Sequence, residues 1–150
     1  ELHDIQMKLA DPRLISGDAE LERLLDEGRS VVLITQGIHA TEVGGPQMAA
    51  RLLHRMATSD DPAVLQILDE VIFLDIPSLN PDGLQWVVDW YNRWVGTDYE
   101  GAPLPWLYHY YVGHDNNRDW YMFTQAESRL TARFVYDRWR AILTRFTEPL

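Results

Sequence analysis

The sequence predicts an α/β fold, and two apolar runs with helical segments between them carry the prediction. Residues 31–34 (VVLI) and 71–74 (VIFL) do not alternate with polar residues, which is typical of parallel strands buried on both faces. Helical periodicity fills the stretch between the runs. Because two parallel strands need a long connection, this order of strand, two helices and strand predicts a parallel crossover.

Local signals place each element in turn. In chain order we expect helix 18–27, strand 30–35, helix 45–57, helix 60–70, strand 71–74 and a helical turn or two over 84–91. Asp18 is suited to cap the first helix, and Gly28 to end it. The last helix opens with a predicted capping box, Thr124-x-x-Glu127, and has an apolar seam of Val135, Trp139, Ile142 and Phe146.

Composition excludes several classes of protein. The net charge of −10, with 13 basic residues scattered among 23 acidic ones, argues against a nucleic-acid partner. No apolar run approaches the roughly 20 residues needed to span a bilayer. The chain has no cysteine, which excludes disulfides, thiolate metal sites and a cysteine nucleophile. Chemistry must therefore depend on histidine, carboxylate, hydroxyl and arginine side chains.

The segment 37–42 (GIHATE) places an imidazole and a carboxylate three residues apart, directly after the first apolar run. Both groups are good zinc donors, and side chains at i and i+3 on a first helical turn point the same way. We therefore regard His39 and Glu42 as a candidate pair of metal ligands. Alone, the pair is a weak signal, since a polar turn with a satisfied histidine has the same pattern.

Two further blocks follow apolar segments, 77–83 (PSLNPDG) and 113–120 (GHDNNRDW). In this order the three blocks resemble the zinc metallocarboxypeptidase family of the carboxypeptidase A type, whose patterns are approximately G-x-H-x-x-E, N-P-D-G and G-x-D-x-N-R. The resemblance spans roughly residues 30–135.

The resemblance implies a fold, a cofactor and roles for four residues. It implies a mixed, largely parallel sheet with helices on both faces, of which residues 1–150 would be the incomplete amino-terminal part. His39 and Glu42 would be ligands of Zn²⁺, and Asn117 and Arg118 would bind the terminal carboxylate of a peptide substrate. The third ligand, a histidine, and the general base, a glutamate, would come later than this chain extends.

Arg118 also has a chemical argument of its own, because a guanidinium pairs bidentately with a free carboxylate. The alternative is a structural salt bridge to Asp115 or Asp119. The family has a carbonyl-polarising arginine some way after N-P-D-G, and we expect Arg93 to be this catalytic residue, since it is the only arginine between the second and third blocks.

Other residues near the motifs have simpler explanations. His109 and His114 are the later histidines; His114 is expected to flank the site and His109 to pack in a loop. The N-P-D-G block predicts a turn in which Gly83 has a positive φ. The many aromatic residues between 86 and 111 could line a substrate groove, but packing is their more common role.

The sequence therefore favours a zinc metallocarboxypeptidase, which hydrolyses a peptide or amide bond next to a free C-terminal carboxylate with metal-activated water. This chain alone is expected to be inactive. One alternative is a deacylase of the aspartoacylase and desuccinylase type acting on N-acyl amino acids, although the N-P-D-G block favours the carboxypeptidase. Another is a non-catalytic fragment or binding module. The family resemblance slightly favours export to the periplasm or outside the cell.

Overall fold

A computed structural model describes residues 1–105, 108 and 111–139 of the chain. The helices within these ranges are α1 (Leu2–Leu9), α2 (Asp18–Glu27), α3 (Gly44–Thr58), α4 (Pro62–Glu70), α5 (Pro81–Trp94) and α6 (Ala126–Ala132), and the strands are β1 (Ser30–Thr35) and β2 (Val71–Ile76). Short 3-10 helices lie at Pro12–Leu14 and Asn116–Arg118, and a π-helical segment, Arg133–Trp139, follows α6. The predicted α/β class is confirmed.

The strands β1 and β2 pair in parallel, with α3 and α4 forming the crossover between them. All six residues of β2 are half-buried, as are the four central residues of β1. The two strands are therefore less buried than the sequence predicts. In the part of the chain that the structure describes, the sheet has two strands, so each of them is an edge.

The described residues divide into two compact units, the first formed by 1–34, 55–75 and 131–139, the second by 35–54 and 76–130. The buried apolar residues of the first unit include Ile5, Leu24, Val64 and Val135. They come from α1, which was not predicted, and from α2, α4 and the π-helical segment. The first unit therefore has an apolar core.

The interior of the second unit is more polar. Asn80 and Asp119 are 0% exposed, and Asn116 is 2% exposed. Buried polar groups are costly unless they form hydrogen bonds, so their concentration here indicates a constrained arrangement. All of the predicted site residues belong to this unit.

One feature of the carboxyl-terminal region differs from the prediction. The helix α6 begins at Ala126, so Gln125 and not Thr124 occupies the position before the helix, and the predicted capping box does not form. Thr124 instead donates to Asp119 through both its amide and its hydroxyl, which holds this residue before the start of the helix. Of the predicted seam, Val135 is buried and Trp139 half-buried, whereas Ile142 and Phe146 lie outside the described residues.

Candidate metal centre and its surroundings

The loops that follow β1 and β2 are joined by backbone hydrogen bonds beyond the ends of the strands. The amide of Gln36 donates to the carbonyl of Ile76 (3.1 Å), and the carbonyl of Gln36 accepts from Leu79 (2.9 Å). The amide of Asn80 donates to the carbonyl of Gly37 (3.1 Å). The first and second motif blocks are thus fixed to each other.

The side chain of Asn80 strengthens this connection. Its Oδ1 accepts from the amide of Gly83 (2.9 Å) and so caps α5. Its Nδ2 donates to the carbonyl of Tyr108 (3.0 Å) and lies 3.4 Å from that of Ile38. One buried amide therefore holds a helix start, the loop before His39 and the segment at Tyr108.

Gly83 has a different role from the one predicted. It lies inside the first turn of α5, and its φ is not positive. A Cβ at this position would lie 2.7 Å from the carbonyl oxygen of Tyr108 and 2.6 Å from Nδ2 of Asn80. Glycine is needed here for close approach, and the N-P-D-G block forms a helix start instead of a turn.

His39 and Glu42 are adjacent, as the sequence predicts. Nδ1 of His39 lies 2.9 Å from Oε1 of Glu42. The pair lies in a turn closed by a hydrogen bond from the amide of Glu42 to the carbonyl of His39 (3.1 Å), and α3 begins at Gly44. The residues thus precede the helix instead of occupying its first turn, but the turn brings the two side chains together equally well.

A second carboxylate lies on the other side of the imidazole. Nε2 of His39 is 3.4 Å from Oδ1 of Asp115, and this oxygen also accepts from the amide of Asn117 (2.7 Å). Asp115 was considered from the sequence only as a salt-bridge partner for arginine. Its contact with His39 is non-local, so the only sequence signal was its place in the third motif block.

The donor chemistry of this cluster fits zinc in part. A nitrogen and a carboxylate oxygen 2.9 Å apart can both reach one ion at the usual bond lengths of about 2.0–2.2 Å with modest adjustment. In the described ranges, no group of three or more His, Cys, Asp or Glu side chains is arranged to hold a metal ion. His39 and Glu42 therefore offer two ligands.

Arg118 lies near this cluster and is exposed. Among the described residues Arg118 forms no ion pair: Oδ1 of Asp115 lies 3.4 Å from Nε2 of His39, and both oxygens of Asp119 accept hydrogen bonds from residues 124–128. Arg118 is close enough to Tyr108 for its charge to oppose, in part, the rise that burial and Asp115 cause in the pKa of that phenol. Asn117 is half-buried beside it in the 3-10 helix Asn116–Arg118.

Tyr108 is a neighbour that the sequence did not single out. Its ring meets that of His39 edge-on, with centroids 5.8 Å apart and planes at 66°. Burial, followed by the charge of Asp115 and a hydrogen bond to that carboxylate, raises the pKa of Tyr108.

Asp119 organises the segment after the third block. It accepts from the amides of Thr124 (3.1 Å) and Gln125 (2.9 Å) and from the hydroxyls of Thr124 and Ser128. Burial raises the pKa of Asp119, but the four hydrogen bonds outweigh it and hold the pKa well below its usual range. Asp119 is thus a structural anion.

The other candidate residues stay apart from the His39 cluster. His114 lies beside Asp119, with Nε2 3.8 Å from Oδ1. Arg93 is exposed in the last turn of α5, and within the described chain no hydrogen bond or ion pair joins it to His39, Glu42 or Asp115. Its catalytic role stays a prediction. His109 lies outside the described residues.

Aromatic side chains on and after α5 pack against one another. The rings of Trp90 and Trp94 meet edge-on, as do those of Trp94 and Tyr99, and Nε1 of Trp90 donates to the carbonyl of Ala102 (2.8 Å). These contacts support the packing interpretation. The same side chains also border a cavity of about 200 Å³, which is lined by Thr41, Val87, Trp90, Tyr91, Trp94, Tyr99 and residues 101–104.

Comparison with known proteins shows the family to which the chain belongs. A family model for zinc carboxypeptidases matches residues 15–136, a range that includes all three motif blocks. The chain belongs to the zinc carboxypeptidase family. A curated relative, zinc carboxypeptidase A 1 of Anopheles gambiae, is 31% identical over 93 residues, and the match covers 62% of this chain and 20% of the relative. The match therefore spans about a fifth of that relative's length. No solved structure matches it significantly.

Proposed function

We propose that this chain forms the amino-terminal part of a zinc-dependent carboxypeptidase, with His39 and Glu42 as zinc ligands and Asn117 and Arg118 as the binding site for a substrate carboxylate. The observation that carries the proposal is the position of His39 between two carboxylates. Nδ1 faces Glu42 at 2.9 Å, and Nε2 faces Asp115 at 3.4 Å. Metal-binding histidines almost always give their other ring N–H to such a partner.

Asp115 has a defined part in this proposal. When a metal is bound, Asp115 would accept the Nε2 proton of His39, which would keep the lone pair of Nδ1 free for the metal and fix the plane of the ring. Asp115 is itself held by the amide of Asn117 (2.7 Å). One short segment therefore orients a metal ligand and presents Arg118 to the substrate.

The chemistry of the reaction is divided between the ion and the chain. When bound, zinc would activate a water molecule and polarise the scissile carbonyl. Arg118 would bind the free carboxylate through two parallel hydrogen bonds, and Asn117 would add a third. This binding selects peptides by their carboxyl end. The third ligand and the general base would be supplied by residues outside this chain.

Family membership supports the carboxypeptidase over the N-acyl amino acid deacylase. The peptide substrate, export from the cell and the activity of the whole protein are parts of this proposal. No helix among the described residues is long and apolar enough to cross a membrane.

The first prediction tests the carboxylate site in the full-length protein. Arg118→Lys keeps the charge but loses the bidentate geometry, so kcat/KM for peptides with a free carboxylate should fall by about tenfold to a hundredfold. Amidated peptides should be affected much less. Zinc stoichiometry and steady-state kinetics on both kinds of peptide provide the measurement.

Arg51→Lys is the matched control, because Arg51 is exposed on α3 and forms no ion pair within the described chain. It should behave as the wild type does. Equal losses on free and amidated peptides would mean that Arg118 serves structure, and a wild-type protein that binds no zinc would refute the proposed function.

A further inference from the structure

The cavity beside α5 has no part in the function proposed so far. It has a volume of about 200 Å³, and every described residue of its wall belongs to the second compact unit. None of these wall residues is charged, and most carry aromatic or aliphatic side chains: Val87, Trp90, Tyr91, Trp94, Tyr99, Pro103 and Leu104. Pockets for whole drug-sized ligands measure roughly 300–1,000 Å³, so this cavity has room for a single side chain.

Hydrogen bonds fix the wall of the cavity. Nε1 of Trp90 donates to the carbonyl of Ala102 (2.8 Å), and the hydroxyl of Tyr91 donates to Oε1 of Glu100 (2.9 Å). The other oxygen of Glu100 accepts from the amide of Gly96 (2.8 Å). These contacts tie the loop after α5 to the helix. They also occupy the polar groups of two of the aromatic rings, which therefore offer mainly apolar surface to a ligand.

The cavity reaches the proposed metal site at Thr41. This residue borders the cavity and lies between His39 and Glu42, in the turn closed by their backbone hydrogen bond. Asn117 and Arg118 are not among the described residues of the wall. The cavity therefore lies next to the proposed metal ligands and outside the proposed carboxylate site. This position suits a substrate residue on the amino side of the bond to be cleaved.

We propose that the cavity is a subsite for one apolar side chain of the peptide substrate, carried by a residue on the amino side of the scissile bond. The proposal rests on the proposed function above and adds a preference among peptides. Burial of a leucine or phenylalanine side chain in such a site is worth roughly tenfold to a hundredfold in affinity. A charged side chain would lose its hydration without an opposite charge in the described wall, so the cavity should exclude it.

The test uses the full-length protein and blocked peptides that share one carboxyl-terminal residue with a free carboxylate. Each of the two preceding residues is varied in turn among glycine, leucine, phenylalanine, lysine and glutamate. At one of these positions, leucine or phenylalanine should raise kcat/KM by roughly tenfold or more over glycine, and lysine and glutamate should give no gain.

Two variants test whether the preference arises in the cavity. Ala102→Leu adds bulk to the wall, and Tyr99→Ala removes part of it at a side chain that is 64% exposed. Each should lower the ratio of kcat/KM between the phenylalanine and glycine peptides by about threefold to tenfold. Because the ratio compares two peptides on one protein, a general loss of activity cancels. Tyr136→Ala is the matched control, since Tyr136 is 50% exposed and belongs to the first unit, and it should keep the wild-type ratio.

The outcomes separate the subsite from the proposed function. Equal kcat/KM for all the peptides, a preference for lysine or glutamate, or an apolar preference that survives in both variants would overturn the subsite alone. Circular dichroism melts establish that each variant is folded at the assay temperature. A wild-type protein that binds no zinc, or that cleaves none of the peptides, would instead overturn the proposed function and the subsite with it.

Discussion

Asp119 shows how one buried carboxylate fixes the segment between the third motif block and α6. It is 0% exposed, and both of its oxygens accept two hydrogen bonds, from Thr124 on one side and from Gln125 and Ser128 on the other. An ionised carboxylate can accept all four hydrogen bonds, two at each oxygen. An amide side chain could accept only at its single oxygen. The ionised side chain of Asp119 therefore stabilises the local fold.

The prediction at this residue is that Asp119→Asn destabilises the protein by about 1–3 kcal/mol, because the new NH₂ group faces donors and leaves at least one buried group unpaired. Asp98→Asn is the control, as Asp98 is exposed and has no partner among the described residues. Urea unfolding at pH 7 measures both free energies. Equal midpoints for the two variants would contradict the structural role of Asp119.

The pKa of Asp119 also predicts a pH dependence. Its folded-state pKa lies below the unfolded value of about 3.9, so the ionised form is bound more favourably in the folded state. The resulting stability is fully present above about pH 4 and is lost as the pH falls through the folded-state pKa. Asp119→Asn should therefore show a flatter loss of stability below pH 4 than the wild type shows.

At the scale of elements, α5 depends on its first residues. Asn80 caps the helix, Pro81 occupies the first helical position, and Gly83 allows the carbonyl of Tyr108 to approach. Because the side chain of Asn80 also bonds to that carbonyl, the start of α5 and the position of Tyr108 form one unit of structure.

We predict that Asn80→Ala destabilises the protein by about 2 kcal/mol or more, since it removes a helix cap and a buried hydrogen bond together. Asn92→Ala, at an exposed position of the same helix, should be neutral or slightly stabilising because alanine favours helix. Thermal and urea denaturation compare the two. If Asn80→Ala proved as mild as Asn92→Ala, the cap would not be holding α5.

The elements that the sequence predicts well are those set by local patterns. The bounds of α2 and β1 agree with the prediction, because periodicity, an acidic first turn and a glycine lie within the segments themselves. The adjacency of His39 and Glu42 was predictable for the same reason, as they are three residues apart.

Contacts between distant segments were not predictable. Residue 83 needs to be glycine because of the carbonyl of Tyr108, and Thr124 is held before the start of α6 by its hydrogen bonds to Asp119. The approach of Asp115 to His39 likewise depends on how the loops assemble. In each case a local motif identified a residue that matters but predicted the wrong interaction for it, because the two residues in contact belong to different segments of the chain.

At the scale of the whole molecule, the described residues contain the proposed carboxylate site and two of the proposed metal ligands. His39 and Glu42 supply two donors, Asp115 faces the ring nitrogen that a metal would not use, and His114 lies beside Asp119. Catalytic zinc sites have three protein ligands and one open position. The match covers 20% of the curated relative, and the proposed function assigns the remaining groups to residues outside this chain.

The last prediction is that the chain of residues 1–150 binds zinc weakly and does not hydrolyse a blocked dipeptide, whereas the full-length protein does both. Two ligands without a third lose affinity, and without the general base no water is activated. Equilibrium dialysis with zinc and a peptide hydrolysis assay measure the two properties. His39→Gln should abolish the residual binding, and His54→Gln, at an exposed position on α3, should leave it unchanged. Tight one-to-one binding with turnover would place a third ligand within this chain, with His109 and His114 as the histidines to replace next.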